Sequence, residues 1–391
     1  MKNLIKPLFI PVFSLFIGTI GNSFFSTLLS LDLRELGFSN TAIGGIVSTY
    51  YAGMMIGSWL LEKKIYQVGF LKSYLILVLC NILFVALFPL SASLSYWYLI
   101  RFALGVILGG VFIIIESWIL LLAPAEKKGE ALALYMIGLY FGASLGQLLL
   151  KDFTRVFPVS ILIPIFCCTI ATIIILFASR QTIEKTDHPS TPLTTKQVLQ
   201  KAPLGFFGNL LSGLTLSVFY GLVPVYGHVL GFGAEKIGLM MSLTIGGGFL
   251  GQWPIGKISD MISKDKMLLW NVIATCFICL PMLFGSQIPF ELLCVSMLFF
   301  GMLIFTLYPL SINSLCEKLP QEQTLAAVTK GVIAYGIGCI IGPILASILM
   351  ESSFKESLFV YFLINCALFL IRFYPALKTK AVDQQTPSQG L

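Results

Sequence analysis

Charge is what this sequence has least of. Among 391 residues, 18 are acidic and 25 basic, 11% of the chain, against roughly a quarter in an ordinary soluble domain. So few charges cannot cover a soluble surface of this size without leaving large adhesive patches. Histidine is scarce at two residues, and no His, Cys and carboxylate cluster has metal-ligand spacing. No P-loop is present either. Neither a metal site nor a cofactor nor nucleotide hydrolysis is therefore expected. The net charge of +7 is spread too thinly for a nucleic-acid footprint, so no nucleic-acid partner is expected. What the chain has in abundance is apolar residues, at 57%, with a mean hydropathy of +0.92. A soluble enzyme and a disordered chain are excluded, and the bilayer becomes the principal partner.

Twelve apolar runs are long enough to cross a bilayer as helices, which takes about 20 residues each. They lie near 8–29, 42–61, 73–91, 96–122, 131–150, 157–179, 204–226, 236–256, 267–286, 290–314, 330–350 and 357–375. A β-barrel would need short alternating segments instead. The first run follows Lys2 and Lys6 but is too long for a signal peptide and lacks a small-residue cleavage site, so it reads as a retained helix. With both termini placed in the cytoplasm, nineteen of the twenty-five Lys and Arg fall on the inner side and five on the outer; Arg101 alone lies within a span. That asymmetry sets the orientation. The nine cysteines sit mostly within the runs, Cys276-x-x-Cys279 included, and read as small reduced hydrophobes.

A polar stretch, 181–203, divides the chain into six spans and six spans. The expected organisation is a bundle at 1–180, a cytoplasmic linker at 181–203, a second bundle at 204–376 and a cytoplasmic tail at 377–391. The halves are related. Leu36–Tyr66 aligns without gaps on Leu230–Asp260 at an offset of 194, with ten identities in 31 positions, four of them glycine. A second block, at an offset of 196, pairs Pro124 with Pro320, Glu126 with Glu322, Ala131 with Ala327, Gly142 with Gly338 and Gly146 with Gly342. Both match span n to span n+6. The repeat is therefore parallel, and it predicts a site between two similar halves near the midplane.

The 6+6 plan with a polar central loop resembles the major facilitator superfamily. Gly256-Lys-Ile-Ser-Asp260, followed by Lys264 and Lys266, resembles that superfamily's loop motif, and Arg101-Phe-Ala-Leu-Gly105 its fourth-span motif. Glu116-Ser117-Trp118, Gly129, Leu132-Ala133, Tyr135-Met136 and Gly146-Gln147-Leu148-Leu149 are similar to the bacterial YcaD-type branch. The first-half loop departs from the motif, with Glu62, Tyr66 and Gln67 where Gly, Asp and Arg are usual. The resemblance implies an all-α membrane protein of two six-helix bundles, with spans 1, 4, 7 and 10 lining a cavity. It also implies that span 2 meets span 11 and span 5 meets span 8 between the halves. Asp260 is then expected near the start of span 11, with Lys264 or Lys266 close by. The run Gly338-x-x-x-Gly342-Pro343 resembles the superfamily's antiporter motif, displaced to the second half.

Arg101 and Glu116 are the clearest charges within apolar runs. An ion there costs at least ~2.5 kcal/mol, which makes function the default hypothesis. Fifteen residues separate them, about 60° around a helix and ~22 Å along it, so they share a face with Gly105, Gly109 and Phe112 but cannot pair. Two readings stay open. Glu116 is a proton carrier and Arg101 a charge that senses it or the substrate, or each is a structural ion near a helix end. Polar stripes mark cavity candidates: Asn22 and Ser26 in span 1; Asn209, Ser212 and Tyr220 in span 7; Thr306, Tyr308 and Asn313 in span 10. Interhelical hydrogen bonding explains any one of them equally well. Gly53, Gly57, Gly138, Gly142, Gly146, Gly247, Gly251, Gly338 and Gly342 form small-xxx-small ridges that let helices approach closely.

The sequence thus reads as a monomeric secondary transporter of a bacterial inner membrane. Its partners are a small organic solute and protons, with antiport ahead of passive facilitation or proton symport. A non-transporting receptor or scaffold is the alternative from another class.

Overall fold

A computed structural model describes residues 2–91, 93–124, 127–152, 159–176, 193–320, 323–352 and 354–383. Among these residues the chain forms thirteen α-helices and no strand. They are α1 (Lys2–Glu35), α2 (Asn40–Val68), α3 (Phe70–Leu87), α4 (Leu94–Leu122), α5 (Lys128–Leu148), α6 (Leu162–Leu176), α7 (Thr195–Lys201), α8 (Pro203–Val229), α9 (Ala234–Met261), α10 (Lys264–Met282), α11 (Phe290–Glu317), α12 (Thr324–Met350) and α13 (Ser357–Asp383). Twelve of them form two six-helix bundles, α1–α6 and α8–α13. Eight are long and apolar enough to span a bilayer by length and composition: α1, α3, α4, α5, α8, α10, α11 and α12.

The polar stretch between the bundles is partly helical. Thr194 and Gln197 close a capping box on α7, and Val198 of that helix is buried among Leu315, Leu319 and Ala327. Residues 181–192 of the expected linker lie outside the described residues, as do Glu126 and Glu322 of the repeat. Of the expected tail, 377–383 continue α13 as helix; 384–391 lie outside the described residues.

The repeat holds at the level of single atoms. The shared Leu-Gly-Phe turns at 36–38 and 230–232 end α1 and α8 in the same way. Gly37 and Gly231 both have φ of 83°, a left-handed conformation that favours glycine. Phe38 N–H reaches back to Leu33 O at 3.1 Å and Phe232 N–H to Gly227 O at 3.0 Å, closing the orphaned carbonyls of each helix.

The glycine ridges make the close approaches expected of them, and α2 meets α12 and α5 meets α9 between the halves as the resemblance implies. The ridges themselves pack within each half. A Cβ on Gly53 or Gly57 would strike Phe102 O or Val106 O of α4, and one on Gly247 or Gly251 would strike Leu298 O or Met302 of α11. Likewise Gly142 and Gly146 lie on Phe16 O and Ile20 O of α1, and Gly338 and Gly342 on Leu210 O and Leu214 O of α8; Gly138 lies against Val12. The pairs α2–α4, α1–α5, α9–α11 and α8–α12 are thus fused backbone to backbone. Lipid offers no hydrophobic drive between helices, so this close contact is what holds each half together.

Gly105 and Gly301, equivalent at offset 196, would meet Tyr50 O and Thr244 O, which are equivalent at 194. Overpacking there costs about 1–3 kcal/mol. Gly105→Val and Gly301→Val are each expected to lower the unfolding temperature of the detergent-solubilised protein. Gly256→Ala, where a Cβ meets nothing, is expected to leave it unchanged.

Candidate functional site

The two bundles touch at one end and part at the other. At the closed end α2 meets α12. Asn40 Nδ2 donates to Met350 O at 2.7 Å, and Thr41 donates to Glu351 Oε1 from its N–H at 3.0 Å and from its hydroxyl at 2.9 Å. Glu351 thereby sits at the first turn of α2, where the helix dipole favours an anion. On the other flank α5 meets α9, with the Ser144 and Ser242 hydroxyls 2.8 Å apart. Two glycines mark where the backbones abut: a Cβ on Gly44 would lie 2.5 Å from Pro343 O, and one on Gly238 would strike Gln147 O. These contacts are repeat equivalents, 44 with 238 and 147 with 343.

The apolar core follows the same division. One cluster crosses between halves at the closed end, joining Ile43, Ile46 and Trp97 to Phe219, Tyr226 and Met240. Toward the opposite end it splits into clusters that each belong to a single half. No hydrogen bond among the described residues joins the halves there.

Arg101 is 3% exposed. Its guanidinium lies 4.2 Å over the Tyr50 ring, and Nη2 donates to Ser26 Oγ at 3.3 Å. Nε has no partner, and among the described residues no carboxylate pairs with it. Asn22 lies beside Tyr50 and borders a cavity of about 50 Å³ inside the first half with Ser14, Tyr74 and Asn81. Asn22 and Ser26 therefore serve the surroundings of Arg101. Gly105 and Gly109 of its stripe face α2, whose carbonyls at Tyr50 and Met54 they touch, and not an open interior.

Glu116 differs from Arg101. Its side chain is accessible, yet it sits deep between the halves, within electrostatic reach of Tyr135 on α5 and Tyr308 on α11. An accessible group with protein on several sides lines a cavity rather than a lipid face. No ion pair or hydrogen bond among the described residues engages it.

The other cavity candidates divide. Tyr220 and Tyr308 are half-buried between the halves. Asn209, Ser212 and Thr306 are corrected: all three are sealed within the second half. Asn209 Nδ2 bonds Gly205 O of its own helix at 2.8 Å, Ser212 is fully buried, and Thr306 accepts from Asn271 Nδ2 at 2.9 Å. Asn313 is exposed near the open end. Pro309 does not break α11. The carbonyl its missing N–H leaves free, Phe305 O, accepts from Gln252 Nε2 at 3.2 Å.

The loop motif is corrected as well. Asp260 ends α9, and the cross-half neighbour of α9 is α5, not α12. The side chain of Asp260 is 80% exposed and pairs with Lys264 at 2.8 Å, one turn on. The helix start it reaches is that of α10 in its own half, through Lys264. Asp265, which the motif does not include, binds Lys318 and accepts from Ser314 at 2.6 Å; Lys266 is exposed.

The Major Facilitator Superfamily profile matches residues 12–329, most of the chain. The chain belongs to that superfamily. It is a multi-pass membrane transporter and not an enzyme. The MFS-type transporter YcaD of Escherichia coli strain 536 is 28% identical over 364 residues, covering 92% of this chain and 93% of that protein. YcaD of Shigella dysenteriae strain Sd197 matches to the same extent. The fold likeness extends to the nucleoside transporter NupG, at 13% identity and a TM-score of 0.73 over 93% of this chain and 96% of that one. It extends also to the E. coli xylose transporter XylE in a partially occluded inward-open conformation, at 13% identity and a TM-score of 0.70 over 95% and 98%.

Two features of this superfamily member escaped the sequence. Gly44 and Gly238 are repeat identities, but nothing set them apart from the ridge glycines. Tyr50, Tyr51, Tyr140 and Tyr335, scattered through apolar runs, converge between the halves.

Proposed function

We propose that this transporter moves a small organic solute out of the bacterial cytoplasm across the inner membrane in exchange for protons, with Glu116 as the proton carrier. The observation that carries the reading is the placement of Glu116. It is an accessible acid in the space between the halves, with no ion-pair partner among the described residues, and it faces the second half at Tyr308. Such a group can exchange its proton with whichever side the space opens to, which alternating access requires. The open end lies beside Lys63, Lys64, Lys257, Lys264, Lys266 and Lys318. By the positive-inside rule that end is cytoplasmic, and both termini with it. The bundle boundaries at 1–180 and 204–376 belong to the same reading.

The test starts from chemistry rather than a guessed solute. Metabolites that accumulate in a strain lacking the gene, relative to its parent, are loaded into everted vesicles with and without a proton gradient. Export by antiport expects gradient-driven accumulation that an uncoupler collapses. Flux indifferent to the gradient would make the chain a passive facilitator.

The loop motif gives a smaller prediction. The exposed Asp260–Lys264 pair contributes only about 0–1 kcal/mol to stability. Asp260→Asn is therefore expected to leave the unfolding temperature nearly unchanged. If the motif helps close the cytoplasmic side, the same variant raises labelling of a cysteine placed at Asn313 by an impermeant maleimide in everted vesicles. Unchanged labelling would make the motif a solvated turn.

A further inference from the structure

We propose that the space between the halves receives a flat aromatic solute that carries hydroxyl, carbonyl or carboxylate groups and no net positive charge. This deepens the transporter reading and rests on it. Half of the chain's fourteen tyrosines meet there: Tyr50 and Tyr51 of α2, Tyr135 and Tyr140 of α5, Tyr220 of α8, Tyr308 of α11 and Tyr335 of α12. They form one connected array across both bundles. Tyr220 is within electrostatic reach of Tyr50 and Tyr140, Tyr335 of Tyr51 and Tyr220, and Tyr140 of Tyr308. Ring contacts join them further, Tyr308 to Tyr335 at 5.1 Å, and Tyr140 and Tyr220 to Phe305 at 5.1 and 5.9 Å.

Two properties of this array select the ligand. The first is its ring faces. The side chains meet edge to face, at spacings where a further planar ring gains both burial and quadrupole attraction. Tyr51, Tyr220, Tyr308 and Tyr335 are only half-buried although they lie at mid-helix, so part of each faces open space. The second is the hydroxyls. Those of Tyr51, Tyr140, Tyr220 and Tyr308 make no hydrogen bond among the described residues, and none is among the sealed, unsatisfied polar atoms. They are presented to the space and call for a partner with its own polar substituents.

Charge narrows the choice. A phenol array alone would also suit an organic cation. The cation already present is Arg101, stacked on Tyr50 and within electrostatic reach of Tyr51, with no carboxylate pairing with it. A second positive charge beside it is disfavoured at that end of the array; Glu116, within electrostatic reach of Tyr135 and Tyr308, borders the other end, fifteen residues further along α4 and ~22 Å away by helix rise. A neutral ring or an aromatic carboxylate meets no such penalty.

The experiment measures thermal shifts of the purified full-length protein in detergent with four probes: 4-hydroxybenzamide, 4-hydroxybenzoate, tetraphenylphosphonium and D-xylose. The two aromatic compounds without positive charge are expected to stabilise the protein in a saturable way, and the other two are not. Tyr220→Ala is expected to weaken their binding about fivefold or more. Tyr220→Phe keeps the ring, removes one hydroxyl and is expected to lose less; it also controls for misfolding. Stabilisation by tetraphenylphosphonium or xylose in place of the aromatic pair, no stabilisation by either aromatic compound, or equal affinity in parent and Tyr220→Ala would each overturn the proposal. Counterflow of the same compounds in proteoliposomes separates this from the transporter reading. Binding without counterflow sinks transport through this site and spares the ligand class, whereas counterflow of xylose alone does the reverse.

Discussion

Glu116→Gln is expected to reduce proton-driven accumulation to the level of empty vesicles while solute exchange down its own gradient continues. Gln has the shape and hydrogen-bonding reach of the acid but cannot carry a proton. The open mouth and the α4 backbone are untouched, and an accessible side chain contributes little to packing, so the variant should fold and insert like the parent. Counterflow needs only that the loaded carrier reorient. Accumulation needs a proton to be bound on one face and released on the other. Parent exchange should vary with pH and that of the variant should not. If Glu116→Gln accumulates solute against a gradient like the parent, then Glu116 is a structural hydrogen-bonding group beside Tyr308 and protons, if they drive transport, use another path.

The twelve bundle helices, the break between halves and the offset of the repeat were legible because each is written locally. Apolar runs, a polar interruption and recurring Leu-Gly-Phe turns need no partner to be read. Glu116 stood out for the same reason, as an acid inside an apolar run. What the ridges touch was not legible. Gly53-x-x-x-Gly57 announces a close approach but does not say to what, and it lies on Phe102 O and Val106 O of its own half. Polar stripes share that ambiguity. Asn209 and Ser212 have the same helical spacing as Tyr220, yet two are sealed and one is open, because a stripe wider than one contact faces two neighbours. The tyrosine array was hidden most completely. In sequence each member is one more aromatic in an apolar helix, and only the folding of five helices around one space brings them together.

Gly44→Leu and Gly238→Leu, alone and together, are expected to drive the transporter out of the conformation described here, toward one open at the other end. The contrast with Gly105 is instructive. Gly105 touches Tyr50 O within a half, a contact kept in every state, so filling it costs stability. Gly44 and Gly238 touch Pro343 O and Gln147 O across the halves, at the closed end only. Filling these positions penalises one state and spares the other. An overpacked contact costs about 1–3 kcal/mol, which shifts a two-state equilibrium by about 5- to 150-fold. Glu351→Ala removes two hydrogen bonds from the same face and should act in the same direction more weakly. A cysteine at Val47, which packs against Gly221 in the closed end, should react with an impermeant maleimide about tenfold faster in right-side-out vesicles of the double variant. A cysteine at Asn313, at the opposite end, should react more slowly in everted ones. Unfolding temperatures should stay close to the parent's. Equal labelling of parent and double variant at both positions would mean that these two glycines are not where the halves separate, and that alternating access in this protein turns on a different surface.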